Sequence, residues 1–206
     1  MSRKIAYILI FTGIILLGYR LFYSGPEIKN ARPSGQQIIC FGDSLTAGYG
    51  ASRGMDYPSQ LSEMLARPVI NAGVSGDTTG QALERLEEDV LSRDPRIVLI
   101  TLGGNDLRHG ILKRVAFANL KKIVEAIQDQ GALVIVGGID IPFYGRGFGE
   151  AYQKLADETG AILIPNIFKD IFGRRKLMSD SIHPNNDGYR IMARRFYDAI
   201  PDHLKR

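Results

Sequence analysis

The chain has 206 residues, 45% hydrophobic and 23% charged, with a net charge of +4. That length and balance suit one domain with its own core and exclude a disordered chain. The mild charge calls for no nucleic-acid groove, and the single cysteine, Cys40, excludes an intrachain disulfide or a cysteine-based zinc site. The three histidines lack metal-ligand spacing, so no metal and no other cofactor is expected.

In chain order, the basic Arg3 and Lys4 precede residues 5–19, which are uncharged and strongly apolar. As a helix that run reaches only about 22 Å, short of a hydrocarbon core of roughly 30 Å. Continued through Arg20 to Tyr23 it reaches about 28 Å, with Arg20 able to snorkel to the headgroups. Tyr19 and Tyr23 suit the interface, and Arg3 and Lys4 favour a cytoplasmic N-terminus. Leu17-Gly18-Tyr19-Arg20 is a poor cleavage site, so residues 1–23 read as a retained membrane anchor, with a cleaved secretory signal as the alternative. Either places the remaining chain outside the cytoplasm. Residues 24–36, with Gly25, Pro26, Pro33 and Gly35, read as a linker, and residues 37–206 as the folded domain.

Within that domain, strands are expected at 38–41, 69–72, 97–102, 133–136 and 162–164. Helices are expected at 57–65, 80–91, 113–130, 148–159 and 186–199. Asp56 is a candidate N-cap with Pro58 in the first turn, and Gly131 and Gly160 close two helices. In 80–91, Leu83, Leu86, Val90 and Leu91 share a face. Near-continuous apolar strands alternating with amphipathic helices mean an α/β fold, its parallel sheet covered on both sides.

The loops expected at the strands' carboxyl ends carry the unusual content. Ser44 follows the apolar run 38–41 and Gly42, at the edge where parallel α/β sheets bind ligands, although a serine there equally suits a helix cap. Asp180-Ser181-Ile182-His183 breaks the tie. A serine hydroxyl needs a base within reach, His183 can be that base, and Asp180 can hold its imidazole in one tautomer. Acyl transfer puts negative charge on an oxygen, and donors for it are available from the Ser44 N–H, from Gly76, where backbone can approach closely, and from the Asn105 side chain. Asp43 and Asp77 read as loop braces, His109 as a surface residue and Cys40 as a small core residue.

Gly42-Asp43-Ser44-Leu45, the glycine of Val74-Ser75-Gly76-Asp77, Gly103-Gly104-Asn105-Asp106 and Asp180-x-x-His183 together resemble the four blocks of the GDSL or SGNH hydrolases. The closer resemblance is to the thioesterase I/protease I/lysophospholipase L1 type of arylesterase. It rests on Phe41–Gly50, Ser75–Thr79, Leu102–Asp106 and Asp180–Asn185, with residues 141–145 as a further block. It implies a three-layer α/β/α fold with a flavodoxin-like five-stranded sheet and ester hydrolysis through a serine acyl-enzyme. It also carries over Ser44, Gly76, Asn105, Asp180 and His183 as site residues. The expected protein is a monomeric, membrane-anchored serine esterase of carboxylic esters or thioesters, acting on a small amphipathic or aryl ester. A carbohydrate O-acetylesterase of cell-envelope sugars is the enzymatic alternative, and a tethered binding module the non-enzymatic one. The α/β-hydrolase elbow is excluded, because Thr46 stands where its second glycine would be.

Overall fold

Five parallel strands form one sheet in the order β2-β1-β3-β4-β5. They are β1 (Gln37–Gly42), β2 (Val69–Gly73), β3 (Pro95–Thr101), β4 (Leu133–Gly137) and β5 (Ile162–Ile164). The computed structural model describes residues 27–140, 145 and 147–205, together with Thr12. The anchor expected over 1–23 therefore lies outside the described residues apart from Thr12, as do residues 141–144 of the further block. Among the described residues no helix is long and apolar enough to cross a membrane.

The three central strands are apolar on both faces because helices cover both. In β1, Ile38, Ile39, Cys40 and Phe41 are buried, and in β3 so are Ile97 to Ile100. On one face, α2 (Tyr57–Leu65) packs against α8 (Asn186–Ala199), with the Tyr57 and Phe196 rings stacked at 5.1 Å. On the other face lie α3 (Thr79–Glu84), α6 (Lys113–Asp129) and α7 (Phe148–Thr159). Asp56 caps α2 by accepting from the Ser59 N–H at 2.9 Å, as its position predicts.

Helices 57–65, 148–159 and 186–199 and the strand 162–164 stand as expected, and the remaining strands and helix 113–130 differ by a residue or two at their ends. The helix expected over 80–91 is broken. It forms α3, then α4 (Leu86–Asp89), then a 3₁₀ turn at Leu91–Arg93. The break falls at Arg85, whose guanidinium turns inward to bond the Asp77 and Asp89 carboxylates and the carbonyls of Ala72 and Gly42. The buried face is therefore Ala82, Leu86 and Val90, with Leu83 and Leu91 only partly covered. Two short helices, α1 (Ser44–Ala47) and α5 (Gly104–Arg108), complete the loops after β1 and β3.

The described part of the 24–36 segment is fastened to the sheet's amino edge as a strap. The Lys29 N–H donates to the Gly160 carbonyl before β5 at 3.0 Å, Ser34 N–H to Gly131 before β4 at 3.2 Å, and Gln36 N–H to Asp94 before β3 at 3.0 Å. The Asn30 side-chain amide donates to the Gln128 and Ala132 carbonyls at 2.8 and 2.9 Å. It thereby ties the strap to the turn that links α6 to β4, adding a second donor to the Gln128 carbonyl, which also accepts from the Gly131 N–H. Asn30→Gly keeps the left-handed backbone at this position (φ 57°) and removes both bonds. It is expected to cost about 1–3 kcal/mol, lowering Tm by roughly 3–10 °C in thermal denaturation.

Candidate active site

The chain leaves β1 toward β2 on one side and later returns to place β3 on the other, so β1 and β3 flank the point where the strand order reverses. In open parallel sheets the crevice outside the carboxyl ends at that point is where ligands bind. Ser44 follows β1, Gly76 follows β2 and Asn105 follows β3, so the topology alone gathers three of the five expected site residues on one edge.

The turn into Ser44 is tight. Gly42 does not have a positive φ; its role is space. A Cβ there would stand 2.3 Å from Thr46 Oγ1 and 2.4 Å from the Thr101 carbonyl oxygen. Thr101, the last residue of β3, bonds the Thr46 hydroxyl, which also bonds the Tyr57 hydroxyl at 2.9 Å, so the buried face of the turn is pinned to β3 and α2. The Asp43 carboxylate accepts from the Leu45 N–H at 3.0 Å as the N-cap of α1. As the first residue of that helix, Ser44 has an N–H that no helical carbonyl can take.

His183 and Asp180 arrive from the last loop before α8. Ser44 Oγ lies 3.0 Å from His183 Nε2 across 139 residues of sequence, and His183 Nδ1 lies 2.8 Å from Asp180 Oδ2. A carboxylate can only accept, so Nδ1 carries the proton and Nε2 presents its lone pair to the Ser44 hydroxyl. Asp180 Oδ1 in turn accepts from the N–H groups of Ile182 (2.8 Å) and His183 (2.7 Å). Desolvation pushes the Asp180 carboxyl up, but the Ile182 N–H, the His183 ring and the His183 N–H outweigh it and hold the group at about 2. The loop is closed at its base, where Ser179 N–H donates to the His183 carbonyl at 2.9 Å and Met178 bridges Pro184.

Asn105, near the start of α5, points its side-chain amide at the loop after β2. One N–H donates to the Asp77 carbonyl at 2.9 Å, and the other faces Asp43 Oδ2 at 3.3 Å. Asp77 directly follows Gly76, whose φ is +93° and beside which an added Cβ would meet nothing within 4 Å. Asp43 and Asp77 are both buried braces, Asp77 bonding Arg85 at 2.6 Å. Asp106 is a third, accepting from the Thr79 N–H and hydroxyl at 2.9 and 2.6 Å.

Two contributors escape sequence reasoning. Arg85 looks like an exposed helix charge, and only its spacing from Asp77 and Asp89 hints otherwise. Tyr49 lies against the His183 ring, centroids 4.5 Å apart, and its carbonyl accepts from the Tyr189 hydroxyl at 2.8 Å. Tyr49 lies in the run Phe41–Gly50 that carries the resemblance, but nothing in that run says that it packs on His183. A groove of about 720 Å³ between α2 and α8, lined by residues including Gln60, Arg190 and Arg194, contains none of the site residues.

Comparison with known proteins agrees with this geometry. The sequence model of the GDSL-like lipase/acylhydrolase family matches residues 40–191. An arylesterase of Vibrio mimicus is 32% identical over 202 residues, covering 93% of this chain and all of the relative. The thioesterase 1/protease 1/lysophospholipase L1 of Escherichia coli K12 is 34% identical over 164 residues, covering 76% of this chain and 79% of the relative. The crystal structure of a psychrotrophic esterase from Pseudoalteromonas, inhibited by monoethylphosphonate, superposes with a TM-score of 0.73 at 30% identity over 82% of this chain and 99% of that one. The chain therefore belongs to the GDSL-like lipase/acylhydrolase family and is a serine ester hydrolase.

Proposed function

We propose that Ser44 is the nucleophile, His183 its base and Asp180 the group that orients and charges the base, in an enzyme cleaving carboxylic esters or thioesters. The observation that carries this reading is the unbroken line from Ser44 Oγ through His183 to Asp180, at 3.0 and 2.8 Å. His183 Nε2 takes the hydroxyl proton as Oγ bonds the carbonyl carbon. The imidazolium then gives that proton to the departing alkoxide or thiolate, leaving an acyl-serine. Water repeats the sequence and releases the acid.

The developing oxyanion is assigned the N–H groups of Ser44 and Gly76 and the Asn105 amide. The Asn105 bond to Asp77 aims the side chain, and the proton spanning 3.3 Å to Asp43 is the one an oxyanion can take over. Tyr49, Val74 and Ile182 leave apolar surface exposed on loops of the same edge. That surface suits the acyl or aryl part of an amphipathic ester, in keeping with the names of the arylesterase and thioesterase relatives. The uncharged run 5–19 behind Arg3 and Lys4 supports a domain held at a membrane on its non-cytoplasmic side.

Ser44→Ala is expected to abolish labelling by a fluorophosphonate and to lower kcat by several orders of magnitude; labelling that persists assigns the nucleophile elsewhere. Asn105→Ala should retain the labelling site and the fold by circular dichroism yet reduce kcat about 10²–10³-fold. A change below threefold would make Asn105 a turn residue only.

Asp43 makes stability depend on pH. Burial first, and then the nearby Asp77 and Asp106 charges, push its carboxyl up to about 7 against the lowering effect of the Leu45 N–H. The folded state thus holds the proton more tightly than the unfolded chain, where an aspartate titrates near about 3.9. The contribution is fully present below that value and is lost as pH rises toward 7. In Asp43→Asn the fall of Tm between pH 4.5 and pH 7.5 should be shallower than in the unmodified protein. An unchanged slope in scanning calorimetry would place the titration on another group.

A further inference from the structure

Residues 27–36 do more than cover the sheet's amino edge. In chain order the strap meets Gly160 before β5, then Gly131 before β4, then Asp94 before β3, and turns directly into β1. His203 Nε2 at 2.9 Å from the Ala31 carbonyl fixes it from the far end of the chain. The strap lies wholly at the end of the sheet opposite Ser44. The helix α6 spans the two ends. Its last turn sits under the strap, where Lys29 pairs with Asp129 at 3.4 Å, and its first residue, Lys113, bonds the Gly147 carbonyl at the start of α7. At 17 residues, α6 measures about 25 Å.

Only residues 24–26 separate Glu27 from the apolar segment ending at Tyr23. Fully extended, that stretch reaches roughly 10–14 Å, short of the about 25 Å that α6 alone spans between the two ends of the sheet. We infer that the strap fixes the catalytic edge facing away from the bilayer that holds the N-terminus, so that Ser44 takes its ester from the aqueous phase and not from the lipid of that membrane. This rests on the proposed reading of Ser44 as the nucleophile and of residues 1–23 as an anchor. The exposed apolar side chains of the catalytic edge then meet a dissolved or carrier-borne ester with a short apolar part.

The two ends of α6 provide the test. The full-length chain is placed in phosphatidylethanolamine–phosphatidylglycerol vesicles carrying an energy-transfer acceptor on the headgroups. One donor is attached at Arg114→Cys, at the catalytic end, and another at Gln130→Cys, under the strap; both native side chains are exposed. Cys40 is fully buried, so only the introduced thiol reacts. Transfer should be several-fold stronger from position 130 than from position 114. Equal transfer, or stronger transfer from 114, overturns the inference.

A second arm inserts about 20 glycine and serine residues between Pro26 and Glu27, adding roughly 25 Å of root-mean-square reach. Cleavage of a long-chain aryl ester embedded in the vesicles should rise at least tenfold, with hydrolysis of dissolved phenyl acetate unchanged within twofold. Embedded ester cleaved equally fast without the insert overturns the inference. Release of the protein by carbonate washing does so too, by removing the anchor. If the transfer pattern holds while neither ester is cleaved, the assignment of Ser44 fails and the orientation stands.

Discussion

A partly buried cation holds the carboxyl edge of the sheet in register. The Arg85 guanidinium lies 4.5 Å above the Phe41 ring and bonds the Gly42 and Ala72 carbonyls, the ends of β1 and β2, while Asp77 and Asp89 neutralise it. Removing one member of such a set strands the others in low dielectric, which costs more than the pair itself contributes. Gly42 is two residues before Ser44 and Asp77 one residue after Gly76, so the same group locates the serine turn and the loop after β2. The interrupted helix 79–89 is the local concession that lets Arg85 turn inward.

The four aspartates of the edge divide their work by burial. Asp43, Asp77 and Asp106 are inside and act as acceptors for N–H and hydroxyl groups of neighbouring loops. Asp180 is exposed, and it alone faces the histidine. A carboxylate that must remain ionised to steady an imidazolium is better placed where water and two backbone N–H groups stabilise its charge than in the core.

The sheet was legible because its signal is redundant: each strand is a short apolar run, and each main helix has an apolar stripe bounded by a cap or a glycine. The line of Ser44, His183 and Asp180 was legible because its chemistry restricts residue type and order. Arg85 was not, since a periodicity argument sorts charges to the outside and cannot see that Phe41 and the Gly42 and Ala72 carbonyls join Asp77 and Asp89 around one guanidinium. Nor was the part played by Gly42, whose hydrogen matters because Thr46 and Thr101 leave no room for a methyl group. The strap was read from its prolines and glycines as a flexible connector. Composition does not reveal that its donors meet carbonyls at the ends of two helices.

The loop bearing Asp180 and His183 has a consequence for how the protein fails on heating. Asp180 and His183 lie three residues apart and bond each other and the base of their own loop; outside it His183 meets Ser44 and the Tyr49 ring, and Ser179 to Ile182 are exposed. The serine, by contrast, is rooted in the central strand. Segments with few buried contacts open at a fraction of the global unfolding free energy. The loop is therefore expected to open as a small unit while the sheet remains intact, at a temperature below that at which the fold is lost.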